Sequence, residues 1–413
     1  MIARMAWRNL WRRKRRTLIT VASISLGLAC VVFFLSLAEG VYAQLVDDAV
    51  RMLAGHVTVE HESYRDAPAV DLVVADASSL RRRIEGVEAV AATKLLIAGQ
   101  GIARSGRGAV GVSIVGVEPQ VEAKTSPLAR KMIAGRYLES GDESLAVIGS
   151  ALAERLGLTP GNKLVIASND RDGNLVERLF RVSGIFKTGA EEIDGYLVEV
   201  RLADSRGLFG LGADDVTQLG VLVRPGYDPA RLREQLAAAI GDAEIGRLNL
   251  AVRPWQEVIP ELAAFIRLDR VSDHTFQALL VVLVLSTILN TLVMAVLERE
   301  RELGVMLALG TSRGRLATLV LVEAAILAAI GCTAGLALGG AVSGLVQVYG
   351  WDLSSLYPNG MTLSGLALST TIHARVSAHK LFVIGALVFA ATVILALFPA
   401  FRAARVSALE GAR

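Results

Sequence analysis

Four long apolar segments without any charged residue constrain the fold of this chain more than any other feature. They lie at 18–38, 276–297, 324–351 and 381–401. A helix needs roughly 20 apolar residues to cross the hydrocarbon core of a bilayer, and each segment has that length. The sequence therefore predicts a membrane protein with four transmembrane α-helices, and it excludes a soluble enzyme and a secreted globular domain.

Two alternatives compete with this arrangement of spans. The first segment could be a cleaved signal peptide, but it is longer than the roughly 7–15 apolar residues of a signal sequence, which favours an uncleaved anchor. Residues 353–372 are also free of charge and could form a fifth span. They contain Pro358, Asn359 and Gly360, which are typical of a turn, so an outer loop is the favoured interpretation.

Basic residues set the expected orientation of the helices. Seven arginine or lysine residues and no acid precede the first apolar segment, and the positive-inside rule places such a segment in the cytoplasm. Residues 298–315 and 402–413 also carry arginines, whereas the loop at 350–380 has only Arg375 and Lys380. We therefore expect both termini on the cytoplasmic side of the membrane.

The segment between the first two spans predicts a folded α/β domain outside the cytoplasm. Residues 40–272 are long enough to bury a core of their own. The pair Asp172-Gly173 lies between two β-rich runs and predicts a hairpin. The further predictions in this domain are helices at 78–84, 151–156 and 229–240, and an inserted lobe at 129–215 between 45–125 and 216–262.

The predicted layout combines these segments in chain order, with one helix before the large domain and three after it. It consists of a cytoplasmic amphipathic helix at 1–16, transmembrane helix one at 17–39, the outer α/β domain at 40–272, transmembrane helix two at 275–297, a cytoplasmic loop with a short helix at 298–315, transmembrane helix three at 316–349, an outer loop at 350–380, transmembrane helix four at 381–401 and a cytoplasmic tail at 402–413.

No catalytic, metal or nucleotide site is predicted in this chain. The five histidines are scattered, and Cys30 and Cys332 lie in apolar segments, where cysteine acts as a small hydrophobic residue. The nearest approach to a P-loop, Gly161-Asn162-Lys163, lacks the rest of that motif. A net charge of +3 gives no indication of a nucleic-acid partner. If ATP is used, another polypeptide binds it.

The loop at 298–315 is the most informative of the cytoplasmic segments. Its charges alternate, after which Leu303, Met306 and Leu307 provide an apolar surface and Gly310 ends the pattern. An amphipathic helix with exposed apolar side chains is suited to docking into the groove of a partner. A solvated loop with a short interfacial helix is the alternative interpretation.

The same loop carries a resemblance to a known family. The coupling-helix signature of the FtsX/MacB-type ABC transporter permeases resembles the run Arg299-x-x-Glu302-Leu303-Gly304-x-x-x-Ala308-Leu309-Gly310-x-Ser312. Residues 7–17 and 398–410 are similar to the elbow and the C-terminus of that family, and 182–194 most closely resembles the lipoprotein-releasing, LolC/LolE-like permeases. The chain departs from the family pattern at Leu307, where Lys or Arg is frequent, and at Ala408, where Pro is frequent.

The resemblance implies a mechanotransmission ABC complex in the bacterial inner membrane. In such a complex this non-catalytic chain pairs with a second copy or a paralogue, and two copies of an ABC ATPase subunit bind the ATP and Mg²⁺. The implied function is to move a lipoprotein or another amphiphile from the outer leaflet to a periplasmic lipoprotein carrier. The implied ATPase-coupling residues are Arg299, Glu302, Leu303, Gly304, Met306, Ala308 and Gly310.

Three other functions remain open. Tripartite efflux of periplasmic peptides or small amphiphiles through a membrane-fusion protein is compatible with the same family. So is a signalling subunit that activates a cell-wall hydrolase. The last is a membrane-anchored adhesion or scaffold protein that works without an ATPase.

A cleft for acyl chains is predicted between the outer ends of the first two spans. One face of a helix carries Phe276, Leu279, Leu280 and Leu283 at i, i+3, i+4 and i+7. The facing end of the first span carries Phe33, Phe34 and Leu37. The alternative is that these side chains simply face lipid, because apolar residues are expected throughout a membrane-spanning helix.

The third span carries two further features. Gly331, Gly335 and Gly339 recur every four residues, and small residues at that spacing let helices approach closely. This contact could lie within one chain, or it could slide between subunits. Glu323, near the cytoplasmic end of the same helix, is expected to extend its carboxylate to water.

Overall fold

The computed structural model describes residues 2–12, 14–353, 355, 361–363, 366–368 and 371–404. The predicted turn at Pro358-Asn359-Gly360 and most of the predicted tail, 405–413, lie outside the described residues. The chain divides into two units. A helical unit comprises Met1–Ala43, Leu268–Leu353 and Thr371–Arg413, and a sheet unit comprises Gln44–Arg267 and Ser354–Thr370.

The elements are numbered here in chain order. The helices are α1 (Ile2–Arg12), α2 (Lys14–Met52), α3 (Ala77–Glu85), α4 (Pro119–Thr125), α5 (Ser150–Leu156), α6 (Glu191–Asp194), α7 (Leu202–Phe209), α8 (Pro229–Ile240), α9 (Asp242–Arg247), α10 (Trp255–Val258), α11 (Pro260–Leu297), α12 (Glu300–Ala308), α13 (Arg313–Tyr349), α14 (Ala378–Leu395) and α15 (Leu397–Ala404). The strands are β1 (Val57–His61), β2 (Val90–Arg104), β3 (Ala109–Val117), β4 (Met132–Gly135), β5 (Leu145–Gly149), β6 (Lys163–Asn169), β7 (Leu175–Phe186), β8 (Leu197–Arg201), β9 (Gln218–Val223), β10 (Leu250–Pro254), β11 (Trp351–Asp352), β12 (Met361–Leu363), β13 (Leu366–Leu368) and β14 (Thr371–Ile372).

Four helices among the described residues are long and apolar enough to cross a membrane. They are Lys14–Met52, Pro260–Leu297, Arg313–Tyr349 and Ala378–Ala404, the last formed by α14 and α15 together. Each contains one of the four predicted apolar segments, except that the segment at 324–351 extends two residues beyond Tyr349. The described part of 353–372 contains the short strands β12, β13 and β14 and no helix, which speaks against a fifth span there.

The first two long helices run well beyond the spans predicted for them. The prediction ended the first span at 39, because Glu39 is the first acid, but α2 continues to Met52. In the same way α11 begins at Pro260, upstream of the span expected at 275–297. A helix needs apolar residues only where it meets lipid, so polar turns can extend it on either side.

A sheet of ten strands organises the sheet unit. Its order is β10-β1-β9-β2-β3-β8-β5-β7-β4, and β6 pairs with β2 and β7. The long strand β2 pairs with β9 through its first half and with β3 and β6 through its second half. The hydrogen-bonded path is therefore continuous from β10 to β4, and the residues of the predicted inserted lobe at 129–215 supply the strands β4 to β8.

Local signals in this unit coincide with the observed elements. The helix predicted at 229–240 is α8, where the Asp228 side chain accepts a hydrogen bond from the backbone N–H of Ala230 and thereby caps the first turn. The helix predicted at 151–156 is α5, which ends at Gly157 in the left-handed conformation. Strands β6 and β7 form the predicted hairpin around Asp172-Gly173.

A buried polar cluster lies inside the sheet unit. The Lys94 ammonium donates hydrogen bonds to Glu122 Oε1 and to the carbonyl of Arg51 in the last turn of α2, each at 2.7 Å. The Tyr137 hydroxyl donates to Glu199 Oε2 at 2.6 Å. Burial, with a further contribution from the negative charge of Glu122, raises the pKa of Glu199 to about 8.

We expect this cluster to make the stability of the sheet unit depend on pH. The folded state keeps a proton on Glu199 up to about pH 8, whereas an unfolded glutamate loses it near the ordinary glutamate pKa of 4.5. Stability should therefore fall as the pH rises through this window, by at most about 1.4 kcal/mol per pH unit. Glu199→Gln should remove that slope, as measured by hydrogen exchange of β2 in the purified chain between about pH 5 and pH 8. The exposed Glu177→Gln is the matched control, and an unchanged slope in Glu199→Gln would contradict the assignment.

Candidate functional site

The loop predicted to couple to an ATPase contains the short helix α12. Arg299 stands at the N-terminal cap of this helix, and Gly310 follows its C-terminus with φ +91°. A positive φ is readily accessible only to glycine, which explains the glycine stop in the pattern. The helix lies in the helical unit, between α11 and α13.

The apolar face of α12 packs against its own chain. Leu303 is 2% exposed and lies in a cluster with Val296, Leu316 and Ala403, and Met306 and Leu307 pack against this cluster. The expectation of an exposed docking surface is therefore wrong for Leu303, whereas Met306 and Leu307 are half-buried and keep part of their side chains accessible. A helix of nine residues is marginal alone, so its apolar face is used to hold it in place.

The exposed face of α12 is a different set of residues. Val305 is 46% exposed and Leu309, just beyond the helix, is 82% exposed. Of the predicted coupling residues, Glu302, Ala308 and Gly310 are also exposed, whereas Gly304 is buried. An open groove of about 380 Å³ adjoins this face and is lined by Asn9, Arg12, Arg299, Arg301, Glu302, Leu303, Val305 and Met306.

A second cavity, of about 400 Å³, lies between α2 and α11 in the helical unit. The predicted residues Phe34, Leu37 and Phe276 line it, and the rings of Phe34 and Phe276 meet edge to face with centroids 6.1 Å apart. Ala38 and Val41 continue the wall along α2. The structure thus brings together three of the residues predicted for an acyl-chain cleft.

Four other predicted cleft residues do not line this cavity. Leu279 and Leu283 point away from the packed helices and are 64% and 62% exposed, and Leu280 is half-buried. Phe33 instead contacts Trp351, with centroids 5.9 Å apart. Helical spacing alone identified a face of α11, but it could not say which side of that face meets α2.

The polar end of this cavity was not predicted from the sequence. The Tyr42 hydroxyl donates a hydrogen bond to Asp269 Oδ2 at 2.8 Å, and Ser272 and Asp273 complete the lining. Glu39 lies beside it and pairs with Lys380 at 2.5 Å. One signal in the sequence could have indicated it. Leu262, Ala263 and Ile266 have the spacing of one helix face and are buried, and this pattern predicts that α11 begins upstream of its apolar segment.

The glycines of α13 make close contacts with α2 within the chain. A Cβ at Gly331 would lie 2.6 Å from Ile24 Cγ2, one at Gly335 would lie 2.8 Å from the carbonyl oxygen of Ser25, and one at Gly339 would lie 2.9 Å from Ala29 Cα. All three distances are shorter than real Cβ atoms show, so any larger residue would force the helices apart. This stripe therefore serves packing inside one subunit.

The carboxylate of Glu323 does not extend to water as expected. Glu323 is 7% exposed and accepts hydrogen bonds from Asn9 at 2.8 Å and from Arg299 at 2.7 Å. Among the described residues no group of three or more His, Cys, Asp or Glu side chains is placed to hold a metal ion. The buried contacts of Glu323 thus join α13 to α1 and to the start of α12.

Comparison with protein families gives two matches that together cover most of the chain. Residues 17–239, more than half of the 413 residues, match a family described as the MacB-like periplasmic core domain. Residues 275–408 match a family described as the FtsX-like permease C-terminal region. The first match ends within α8, and the second begins within α11.

Individual relatives are similar over nearly the whole chain. The lipoprotein-releasing system transmembrane protein LolC of Neisseria meningitidis serogroup B is 24% identical over 359 residues, which cover 85% of this chain and 81% of that protein. LolC of Xylella fastidiosa is 22% identical over 422 residues, which cover 97% of this chain and 96% of that protein.

A third relative is a longer protein. The macrolide export ATP-binding/permease protein MacB of Nitrobacter winogradskyi is 24% identical over 417 residues, which cover 99% of this chain but only 59% of that protein. The two family matches, the four apolar helices and these relatives lead to one conclusion. The chain belongs to the FtsX/MacB-type family of ABC transporter permeases, with a MacB-like periplasmic core domain followed by an FtsX-like permease region.

Proposed function

We propose that this chain is the permease subunit of an ABC complex that extracts a lipoprotein, or another acylated amphiphile, from the outer leaflet of the bacterial inner membrane. The sheet unit is then periplasmic and both termini are cytoplasmic, in agreement with the distribution of basic residues. A periplasmic lipoprotein carrier would receive the substrate. Similarity to two LolC proteins supports this choice of substrate class.

The observation that carries the proposal is the cavity between α2 and α11. Its aromatic and aliphatic wall, formed by Phe34, Leu37 and Phe276, suits acyl chains. Each CH₂ group removed from water contributes about 0.8 kcal/mol, so a cleft that competes with the bilayer must be apolar. Its polar end at Tyr42 and Asp269 suits the polar part of an amphiphile. One cavity thus offers both kinds of contact.

The energy for extraction comes from ATP bound by a different polypeptide. We propose two copies of an ABC ATPase subunit, which contact the exposed face of α12, and a second permease copy or paralogue. The MacB relative supports this division, because its name includes ATP binding and this chain covers only 59% of it. ATP and Mg²⁺ are accordingly assigned to the ATPase and not to this chain.

Reconstitution of the complex in proteoliposomes tests the proposal. A fluorescent triacylated lipopeptide is placed in the bilayer together with a soluble lipoprotein carrier outside. We expect ATP to raise transfer to the carrier by about ten-fold or more over ADP, and the same peptide without acyl chains to remain unmoved. Pumping of the unacylated peptide would indicate efflux instead. Activation of a cell-wall hydrolase without any transfer would indicate a signalling subunit.

A further inference from the structure

Glu323 occupies an unusual position for a carboxylate in an apolar helix. It lies in α13, and its side chain is only 9% exposed. Oε1 accepts a hydrogen bond from the side-chain amide of Asn9 in α1, and Oε2 accepts one from the guanidinium of Arg299 at the start of α12. One buried side chain therefore joins α13 to the start of α12 and to α1, whose Asn9 is 314 positions away in the sequence.

Arg299 is held between two acids. Its Nη1 atom lies 2.7 Å from Glu323 Oε2, and its Nε atom lies 3.2 Å from Glu302 Oε2. The Arg299 side chain is 13% exposed, whereas that of Glu302 is 44% exposed. Because solvent screens the exposed pair, the contact with Glu323 is the stronger constraint on the start of α12.

The elbow helix α1 is also fixed to the beginning of α2. Thr17 Oγ1 donates a hydrogen bond to the carbonyl of Leu10 at 2.7 Å. Leu10 is 5% exposed and belongs to the same core cluster as Ile24 and Leu28 of α2. A displacement of α1 would therefore also displace the beginning of α2.

Helix α2 extends without interruption from Lys14 to Met52. It comprises 39 residues, which corresponds to a length of about 58 Å. Its last turn is held in the sheet unit by the buried Lys94, which donates to the carbonyl of Arg51. Both ends of this helix are thus attached to buried side chains.

Stability alone does not require such a contact. Replacing a buried ion pair by apolar residues of similar volume is often neutral or stabilising, so the pair is better explained by the geometry it fixes. We propose that Glu323 is the positioning residue that joins the coupling helix α12 to the elbow helix α1, so that displacement of α12 by the ATPase passes through α1 to α2. This inference rests on the proposed ATPase-driven function.

The test exchanges the hydrogen-bonding roles at this contact. In Glu323→Gln the negative charge that holds Arg299 is lost, and the Asn9 amide must turn its oxygen toward the new N–H group to keep a hydrogen bond. In the double variant Asn9→Asp with Glu323→Gln, the carboxylate moves to α1, and the amide at 323 can donate to it and accept from Arg299. The double variant keeps the net charge and the same kinds of atoms.

The readout is a movement that does not depend on any substrate. Leu53→Cys, just beyond α2, is placed in a Cys30→Ala, Cys332→Ala background, and its rate of maleimide labelling is measured with and without ATP in the complete complex. We expect Glu323→Gln to retain the ATPase and to reduce the ATP-dependent change in labelling rate by about five-fold. The double variant should restore at least half of that change. Glu177→Gln, an exposed acid 3.2 Å from Arg104 in the sheet unit, is the matched control and should leave the change intact.

Each outcome decides the proposal. A full ATP-dependent change in Glu323→Gln would overturn it, as would loss of the bound ATPase in that variant, which would assign Glu323 to assembly. Failure of the double variant to restore the change would also overturn it. If the wild-type chain shows the ATP-dependent change but transfers no acylated peptide, the proposed function fails while the role of Glu323 stands.

Discussion

Val305→Arg should detach the ATPase subunit while leaving the permease folded. Val305 is 46% exposed on the face of α12 that does not pack against the chain, and Leu309 extends the same surface. An arginine at the proposed ATPase contact would bury a charge without a partner, which costs about 2 kcal/mol or more. We therefore expect the affinity for the ATPase to fall by about 30-fold or more.

The measurement is the ratio of ATPase to permease after copurification, followed by a binding titration with the purified ATPase. Val305→Ile is the matched control, because it keeps the surface apolar and should retain binding. Unchanged copurification in Val305→Arg would show that the ATPase binds elsewhere on the permease.

The structure also determines which variants are suitable for this test. Gly304 is buried, so Gly304→Trp would disturb the packing of α12 itself. Glu302→Lys would place a cation beside Arg299 and change two contacts together. Neither variant isolates docking in the way that Val305→Arg does.

The sequence could predict the membrane helices because their signal is local and strong. A run of about twenty apolar residues without a charge has few stable conformations other than a membrane-spanning helix. The ends of these helices were harder to predict. The charge-free apolar segment stops at Glu39, whereas the α-helical backbone continues to Met52. The polar end of the cavity was missed for this reason, because Tyr42 and Asp269 lie just beyond the apolar segments.

Contacts between distant residues were out of reach of the sequence. Asn9 and Glu323 are 314 positions apart, and nothing in the local pattern around either one indicates the other. The same holds for the long strand β2, whose three partners depend on pairings across the whole domain. Helix α8 could be predicted because its cap, proline and apolar spacing all lie within one short segment.

Ala38→Trp should block the proposed extraction of an acylated substrate. Ala38 lines the cavity between α2 and α11, beside Phe34 and Leu37, and an indole there would occupy space that acyl chains need. The position is half-buried and faces the cavity, so the larger side chain can be accommodated without moving the helices. We expect ATP-dependent release of a triacylated lipopeptide to fall by about ten-fold or more.

The matched control places a tryptophan on α11, on the side of that helix that does not line the cavity. Leu279 is 64% exposed and does not line the cavity, so Leu279→Trp should release substrate at the wild-type rate. Basal ATP hydrolysis should remain in both variants, because neither position lies in α12. Equal inhibition by both substitutions would mean that any bulky residue in these helices is harmful. Full release in Ala38→Trp would place the path of the acyl chains outside this cavity, and the apolar wall formed by Phe34 and Phe276 would then serve only to pack α2 against α11.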